Sequence, residues 1–164
     1  MSKAWALRPA TQAEIPVMAQ LHAALLQRGW NINAFESFYA RGEVLAWIAY
    51  QEDTPIGYLF GWAIAGECEL LNIGLEPEWR GQGCGSALCR ALIDACAVRG
   101  IDRIHLEVSA ENVAAIALYT RHNFIVTRRR KDYYPLADGL AEDALTMIRE
   151  TSKNSAGNSV DARL

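Results

Sequence analysis

The residues with the clearest chemical potential lie between Arg80 and Ser86, in the stretch RGQGCGS. Gly81, Gly83 and Gly85 occupy alternate positions, and a backbone without side chains lets N–H groups approach an anion closely. A strand-like run precedes the stretch and a helical pattern follows it, so the positive end of a helix dipole would add to the attraction. We therefore predict a phosphate-binding loop here. The structural alternative is a tight turn that permits close helix packing.

Two common types of phosphate loop fit this stretch poorly. A dinucleotide-binding loop needs glycine or alanine where Ser86 stands, and it opens a series of strand–helix–strand units rather than following a meander. A Walker loop needs Lys and then Ser or Thr after its last glycine, whereas Gly85 is followed by Ser86 and Ala87. Both types of loop are therefore disfavoured.

The elements that must position this loop follow a mixed pattern. Strand-like and helical runs succeed one another in the order β-α-α-β-β-β-α-β-α-β-β, which predicts the α+β class. Residues 1–150 would form a single domain, and the polar residues 151–164 a disordered tail. The loop would join the third strand of a meander to the main helix, expected from about Gly83 to Arg99.

Shorter signals predict where individual elements begin and end. Thr11 and Glu14 have the spacing of a capping box before the first helix, Pro16 suits its first turn, and Gly29 is expected to end it. Asn123 is expected to end a later helix in the left-handed conformation.

Composition excludes several classes of protein. With 16 basic and 19 acidic residues, a net charge of −3 and a pI near 5.6, the chain lacks the basic surface of a general nucleic-acid-binding protein. Its most apolar stretch, GYLFGWAIAG, is too short to cross a bilayer, and its first residues lack the apolar run of a signal peptide. The four cysteines and three histidines show no zinc-site spacing. We expect a cytoplasmic protein without bound metal, direct nucleic-acid contact or membrane attachment.

Three stretches together resemble a known family. RGQGCG is similar to the R/Q-x-x-G-x-G/A motif with which the GNAT superfamily of N-acetyltransferases binds coenzyme A. LLNIGLEPEWRGQGCGSAL, LEVSAENVAAIALYTRHNF and RKDYYPLADGLAEDALTMI resemble the RimI family, the ribosomal-protein alanine N-acetyltransferases. The likeness runs from about Leu70 to Ile148. It implies a GNAT-like fold, with a central, mostly antiparallel twisted sheet flanked by helices, and acetyl-CoA as the acetyl donor.

The resemblance assigns the loop, the strand before it and Asn112 to the coenzyme. The loop would hold the pyrophosphate by its backbone N–H groups, and the strand before it would splay from the next strand and pair with the pantetheine arm. The family usually has alanine at Gly74. Asn112 would contact the coenzyme, although a plain helix N-cap is its structural alternative. The residues assigned in this way are Ile73, Gly74, Leu75, Arg80, Gly81, Gln82, Gly83, Cys84, Gly85, Ser86 and Asn112.

The resemblance also assigns a base and an acid. Glu107 would deprotonate the attacking amine; an exposed strand glutamate is the structural alternative. An unperturbed α-amine has a pKa of about 7.7–8 and an unperturbed lysine about 10.4, so the α-amine is the easier acceptor to deprotonate. Tyr119 would hydrogen-bond the developing thiolate, because a phenol is a weaker acid than a thiol. No cysteine lies in a nucleophile motif, so the amine would attack the thioester directly.

The implied acceptor is the N-terminal peptide of a protein, with alanine first, from a small-subunit ribosomal protein. The walls of the peptide site would be formed by Trp30, Tyr133 and Tyr134. His105 shares a strand face with Glu107 and is a minor candidate for a residue that supports this base. The basic run Arg128–Lys131 would be a solvated strand edge or would steer an acidic partner. Two alternatives stay open: an acetyltransferase for a small amine such as a polyamine or antibiotic, and a coenzyme-A-binding module without catalysis.

Overall fold

A seven-stranded sheet forms the centre of the protein. The computed structural model describes residues 4–26 and 29–151. The strands are β1 (Ala6–Pro9), β2 (Glu43–Gln51), β3 (Thr54–Ile64), β4 (Glu67–Leu75), β5 (Arg103–Ser109), β6 (Ile125–Pro135) and β7 (Ala141–Glu150). The helices are α1 (Ile15–Leu25), α2 (Ile32–Tyr39), α3 (Cys84–Val98) and α4 (Val113–Arg121). This order of elements confirms the predicted pattern.

The sheet is mixed but mostly antiparallel, as predicted. Its strand order is β1-β2-β3-β4-β5-β7-β6, and β4 with β5 is the parallel pair among the described strands. One apolar cluster packs α3 and α4 on one face, around residues such as Leu88 and Leu106. A second cluster packs α1 and α2 on the other face, around residues such as Met18 and Phe35. Each face of the sheet is therefore covered by helices.

Strands β4 and β5 separate partway along their length. They pair only over Glu67–Glu69 and Arg103–His105. Beyond that point β4 continues to Leu75 against β3, and β5 continues to Ser109 against β7. The facing backbone edges of the two strands are thus unpaired, and such groups need other hydrogen-bond partners. This separation agrees with the splayed strands expected from the resemblance, and we call it the gap.

A β-bulge in β4 determines which of its side chains lie on the α1–α2 face of the sheet, next to the gap. Glu69 lies opposite Trp62, and Asn72 lies opposite Phe60, so Leu71 is the extra residue between the two registers. Because Trp62 and Phe60 are two residues apart on β3, their side chains share a face. Glu69 and Asn72 therefore lie on one face although they are three residues apart.

The element ends agree with the sequence in most places. Thr11 and Glu14 form the predicted capping box, followed by a 3₁₀ turn over Gln12–Glu14, and Asn123 has the expected positive φ of 64°. The predicted end of the first helix at Gly29 was wrong: Leu26 is already extended, with φ −122° and ψ 128°.

Thr151, the residue after β7, is hydrogen-bonded to the two residues that precede β5. Thr151 is buried, its N–H donates to Asp102 O at 3.0 Å, and its hydroxyl donates to Ile101 O. Residues 152–164, the rest of the expected tail, lie outside the described residues, and the single domain over 1–150 stays a prediction. No helix in the described ranges is long and apolar enough to cross a membrane.

Candidate active site

The glycine loop, Arg80–Ser86, is shaped by two left-handed backbone positions. Gly81 has φ 72° and Gly83 has φ 84°, and a Cβ atom added at either residue would meet nothing within 4 Å. Tight packing therefore does not explain these two glycines. The left-handed backbone favours glycine at both positions, and the space in front of them is open.

The loop presents hydrogen-bond donors without acceptors. None of the backbone N–H groups from Gly81 to Ser86 donates to a residue that the structure describes, and α3 begins at Cys84 without a side-chain cap. Two side chains brace the loop from outside: Arg80 Nε donates to Leu75 O at 3.1 Å, and Gln82 Nε2 donates to Glu78 O at 2.7 Å. Free N–H groups at a helix start suit an anion such as a pyrophosphate.

Glu107 lies beside the gap. His105 is the last residue of β5 that pairs with β4, and Glu107 lies two residues after it. Ile104 and Leu106 are buried on the α3–α4 face, so the alternation places Glu107 on the opposite face, as predicted. Its side chain keeps 30% of its surface exposed. The carboxylate is therefore reachable from the α1–α2 side.

Arg130, which the sequence did not single out, reaches this carboxylate. Its Nη1 lies 3.5 Å from Glu107 Oε1, and its guanidinium lies 5.0 Å from the centre of the Tyr133 ring. The interpretation of Arg128–Lys131 as a solvated edge is wrong for this residue, because Arg130 is half-buried. Arg129 also has a partner, since its Nε lies 2.6 Å from Asp143 Oδ2. Two register shifts in β6 lie on either side of these arginines.

Two residues of β4 join Glu107 on this face. Glu69 pairs with His105 in the sheet. Burial raises the pKa of Glu69, the positive charge of His105 opposes that shift, and the carboxylate of Glu107 adds to it. Asn72 Nδ2 is buried and has no hydrogen-bond partner. Arg130 Nε is also buried and also has no hydrogen-bond partner. Buried donors are nearly always bonded, so Asn72 and Arg130 each lack an acceptor that a buried group normally has.

Tyr119 lies on the other side of the sheet. It is 4% exposed and belongs to the α3–α4 cluster, where its ring centre lies 5.8 Å from that of Phe124. Burial raises the pKa of its phenol, with further contributions from Cys89 and Tyr134. Tyr119 therefore keeps its proton at neutral pH and can donate a hydrogen bond. The candidate base and acid thus lie on opposite faces of the sheet.

The remaining predicted residues have identifiable surroundings. Tyr133, 43% exposed, meets Tyr134 edge-on with ring centres 5.1 Å apart. Trp30 stacks on Phe38, with centres 5.0 Å apart and an interplanar angle of 13°, inside the α1–α2 cluster. Asn112 is the N-cap of α4, and its Oδ1 accepts from Ala115 N at 3.1 Å. The N-cap role is therefore confirmed, whereas coenzyme contact by Asn112 stays a prediction.

The described residues contain no group of three or more side chains suited to hold a metal ion. The four cysteines are free and buried.

Known proteins match this architecture. The model of the acetyltransferase (GNAT) family matches residues 15–124. The [ribosomal protein bS18]-alanine N-acetyltransferase of Escherichia coli strain K12 is 46% identical over 81 residues, which are 49% of this chain and 54% of that protein. The match thus spans about half the length of this curated relative.

Solved structures resemble the whole fold. The crystal structure of the ribosomal-protein-S18-alanine N-acetyltransferase from Escherichia coli superposes with a TM-score of 0.83 and 30% identity, covering 94% of this chain and 98% of that one. The structure of yncA from Salmonella typhimurium, solved with its cofactor acetyl-CoA, has a TM-score of 0.77 and 20% identity, covering 95% and 99%. The second likeness concerns the fold alone. With the family model covering residues 15–124, these findings confirm the resemblance and show that the chain belongs to the acetyltransferase (GNAT) family.

Proposed function

We propose that this protein transfers the acetyl group of acetyl-CoA to the α-amine of a protein N-terminus that begins with alanine, and that the acceptor is a small-subunit ribosomal protein in the cytoplasm. The observation that carries the proposal is the placement of Glu107 beside a gap that leads to the glycine loop. The similarity to the bS18-alanine N-acetyltransferase of Escherichia coli supports the choice of acceptor.

The residues of the loop and of β4 fit the donor. The free N–H groups from Gly81 to Ser86 would hold the pyrophosphate. The edge of Ile73–Leu75, which does not pair with β5, would bind the pantetheine amides beside Leu75 O, which already accepts from Arg80 Nε. Bound there, acetyl-CoA supplies a thioester, and a backbone N–H of this edge would stabilise the negative charge that develops on its carbonyl oxygen.

Glu107 and Tyr119 would then have different roles. Glu107 accepts one proton from the ammonium group, either directly or through a water molecule, and the neutral amine attacks the thioester carbon from the α1–α2 side. The carbon–sulfur bond breaks, the sulfur takes the electron pair, and the second proton lost by the nitrogen is taken up by the leaving thiolate. Tyr119, whose burial keeps it protonated, donates a hydrogen bond to that thiolate. The direct route requires no covalent acetyl-enzyme.

The unmet donors near Glu107 favour a peptide over a simple amine. Asn72 Nδ2 and Arg130 Nε are buried and unbonded, and each would donate to a backbone carbonyl of the acceptor once its side chain turned toward the gap. A peptide brings such carbonyls, whereas an alkyl polyamine brings none.

Two peptides of one sequence test the acceptor. One has a free alanine terminus, and the other is blocked there but carries an internal lysine. The free terminus should be acetylated much faster, because an α-amine is partly neutral near pH 7.5 and lysine is not. Tyr134→Ala should raise the KM of the peptide more than that of acetyl-CoA. Equal rates on the two peptides, or activity on polyamines alone, would contradict the N-terminal acceptor and leave acetyl transfer in place.

A further prediction concerns the contact between Arg130 and Glu107. Arg130→Gln should lower kcat for the peptide roughly tenfold, because the carboxylate loses the group that positions it. The Kd for acetyl-CoA, measured by calorimetry, should stay the same. Arg128→Gln is the matched control, since Arg128 is an exposed arginine of the same strand. If both variants kept the kcat of the parent protein, Arg130 would have no positioning role.

A further inference from the structure

Three arginines beside the glycine loop have no acidic partner. Within residues 4–26 and 29–151, Arg90, Arg121 and Arg149 have no carboxylate oxygen within the 4.0 Å that defines an ion pair. Five other described arginines do have one, in the pairs Arg8–Asp53, Arg99–Glu43, Arg103–Glu150, Arg129–Asp143 and Arg130–Glu107, whereas Arg41, Arg80 and Arg128 have none. In a protein of net charge −3, unpaired guanidinium groups in one place point to an anion from outside the chain.

The three arginines surround one contact between α3 and α4. Ser86 Oγ lies 2.7 Å from His122 Nε2. Arg121 precedes His122 in the chain, and Arg149 Nη1 donates to His122 O at 3.2 Å. Arg90 follows Ser86 by four residues, so it lies about 6 Å further along α3.

The same three arginines affect the pKa of His122. The pKa of His122 is lowered, first by burial and then by the positive charges of Arg90, Arg149 and Arg121. All three guanidinium groups therefore lie near enough to His122 to affect it, although they come from α3, β7 and the end of α4. Arg149 also has a buried Nε without a hydrogen-bond partner.

A groove runs from the loop to Arg90, the member of the cluster that lines it. It has a volume of about 440 Å³ and is lined by Gly83, Ser86, Ala87, Arg90, Ala91 and Asp94. Gly83 and Ser86 belong to both the groove and the loop, so an anion held at the loop has Arg90 as a neighbour along the groove and the Ser86–His122 contact beside it. Asp94 lies eight residues beyond Ser86, about 12 Å along the helix, so the end near the loop is the cationic one.

Coenzyme A carries a third phosphate on the nucleotide side of its pyrophosphate, at the 3′ oxygen of the ribose. A phosphate monoester has a charge of about −1.5 to −2 at pH 7, and the guanidinium fork matches its oxygens. We propose that Arg90, Arg121 and Arg149, together with the Ser86–His122 pair, form a binding site for this 3′-phosphate. The inference rests on the proposed use of acetyl-CoA and adds the feature by which the protein distinguishes it from donors without that phosphate.

Calorimetry with two donors tests the site. Acetyl-CoA and acetyl-dephospho-CoA differ only in the 3′-phosphate, so the ratio of their Kd values isolates its recognition. The parent protein should bind acetyl-CoA about 10- to 100-fold more tightly, the range expected for hydrogen bonds to a charged group. The double variant Arg90→Gln, Arg121→Gln should bring the ratio close to one without changing the Kd for acetyl-dephospho-CoA. Both side chains are exposed, so the melting temperature should not fall.

Arg128→Gln is the control, because it removes one exposed arginine from β6 and should keep the ratio of the parent protein. A parent protein that binds both donors equally, or a double variant that keeps the full ratio, would overturn the 3′-phosphate site alone. A parent protein that binds neither donor would overturn the use of acetyl-CoA and this site with it.

Discussion

Replacing Glu107 with Gln is expected to lower the rate of peptide acetylation at neutral pH by about 10²- to 10⁴-fold, the usual cost of losing a general base. Gln keeps the size of the side chain but cannot take a proton from the amine. The Kd for acetyl-CoA should hardly change, because Glu107 lies on the face of the sheet opposite the α3–α4 cluster. Steady-state kinetics on the alanine-headed peptide, with calorimetry for the donor, measure both effects.

Glu111→Gln is the matched control, since it makes the same change at an exposed residue just after β5. That variant should retain the parent rate. If Glu107→Gln acetylated the peptide as fast as the parent protein, Glu107 would have no part in the proton transfer.

The second large effect is expected at Gly83. Gly83→Ala should weaken acetyl-CoA binding by about 10- to 100-fold, because a Cβ would stand in the open space where the phosphate approaches the backbone N–H groups. The positive φ of 84° adds a conformational cost of about 1–2 kcal/mol to folding. The two effects must be separated, and the chain offers a suitable comparison.

Gly100→Ala is that comparison. Gly100 has φ 67°, and a Cβ atom added there would also meet nothing within 4 Å, but this glycine follows the opposite end of α3. The two variants should lose similar stability in thermal unfolding, and only Gly83→Ala should lose affinity for acetyl-CoA. Unchanged affinity in a folded Gly83→Ala variant, or an equal loss in both, would show that the loop does not bind the phosphates.

The sequence predicted those parts of the site that depend on local pattern. The alternation of Ile104, Leu106 and Val108 was sufficient to place Glu107 on the opposite face of β5. The spacing of Gly81 and Gly83 predicted a special backbone before a helix, and both have positive φ. In each case the side-chain or backbone geometry follows from neighbours within a few residues.

The features that the sequence did not predict depend on register between distant segments. The bulge at Leu71, which turns Asn72 to the side of Glu69, is visible only from the pairing of β4 with β3. Arg130 meets Glu107 because β6 and β5 both pair with β7.

The cluster around His122 has the same origin. It joins side chains from α3, the end of α4 and β7, and no local pattern relates these segments. Such contacts follow from the packing of the whole chain.

The most direct test of the proposed function is mass spectrometry of intact small-subunit ribosomal proteins from cells with and without this protein. The account predicts that one alanine-headed protein carries an N-terminal acetyl group in the first sample and lacks it in the second, and that Glu107→Gln does not restore it. Identical N-termini in the two samples would contradict the assignment of a ribosomal protein as the acceptor.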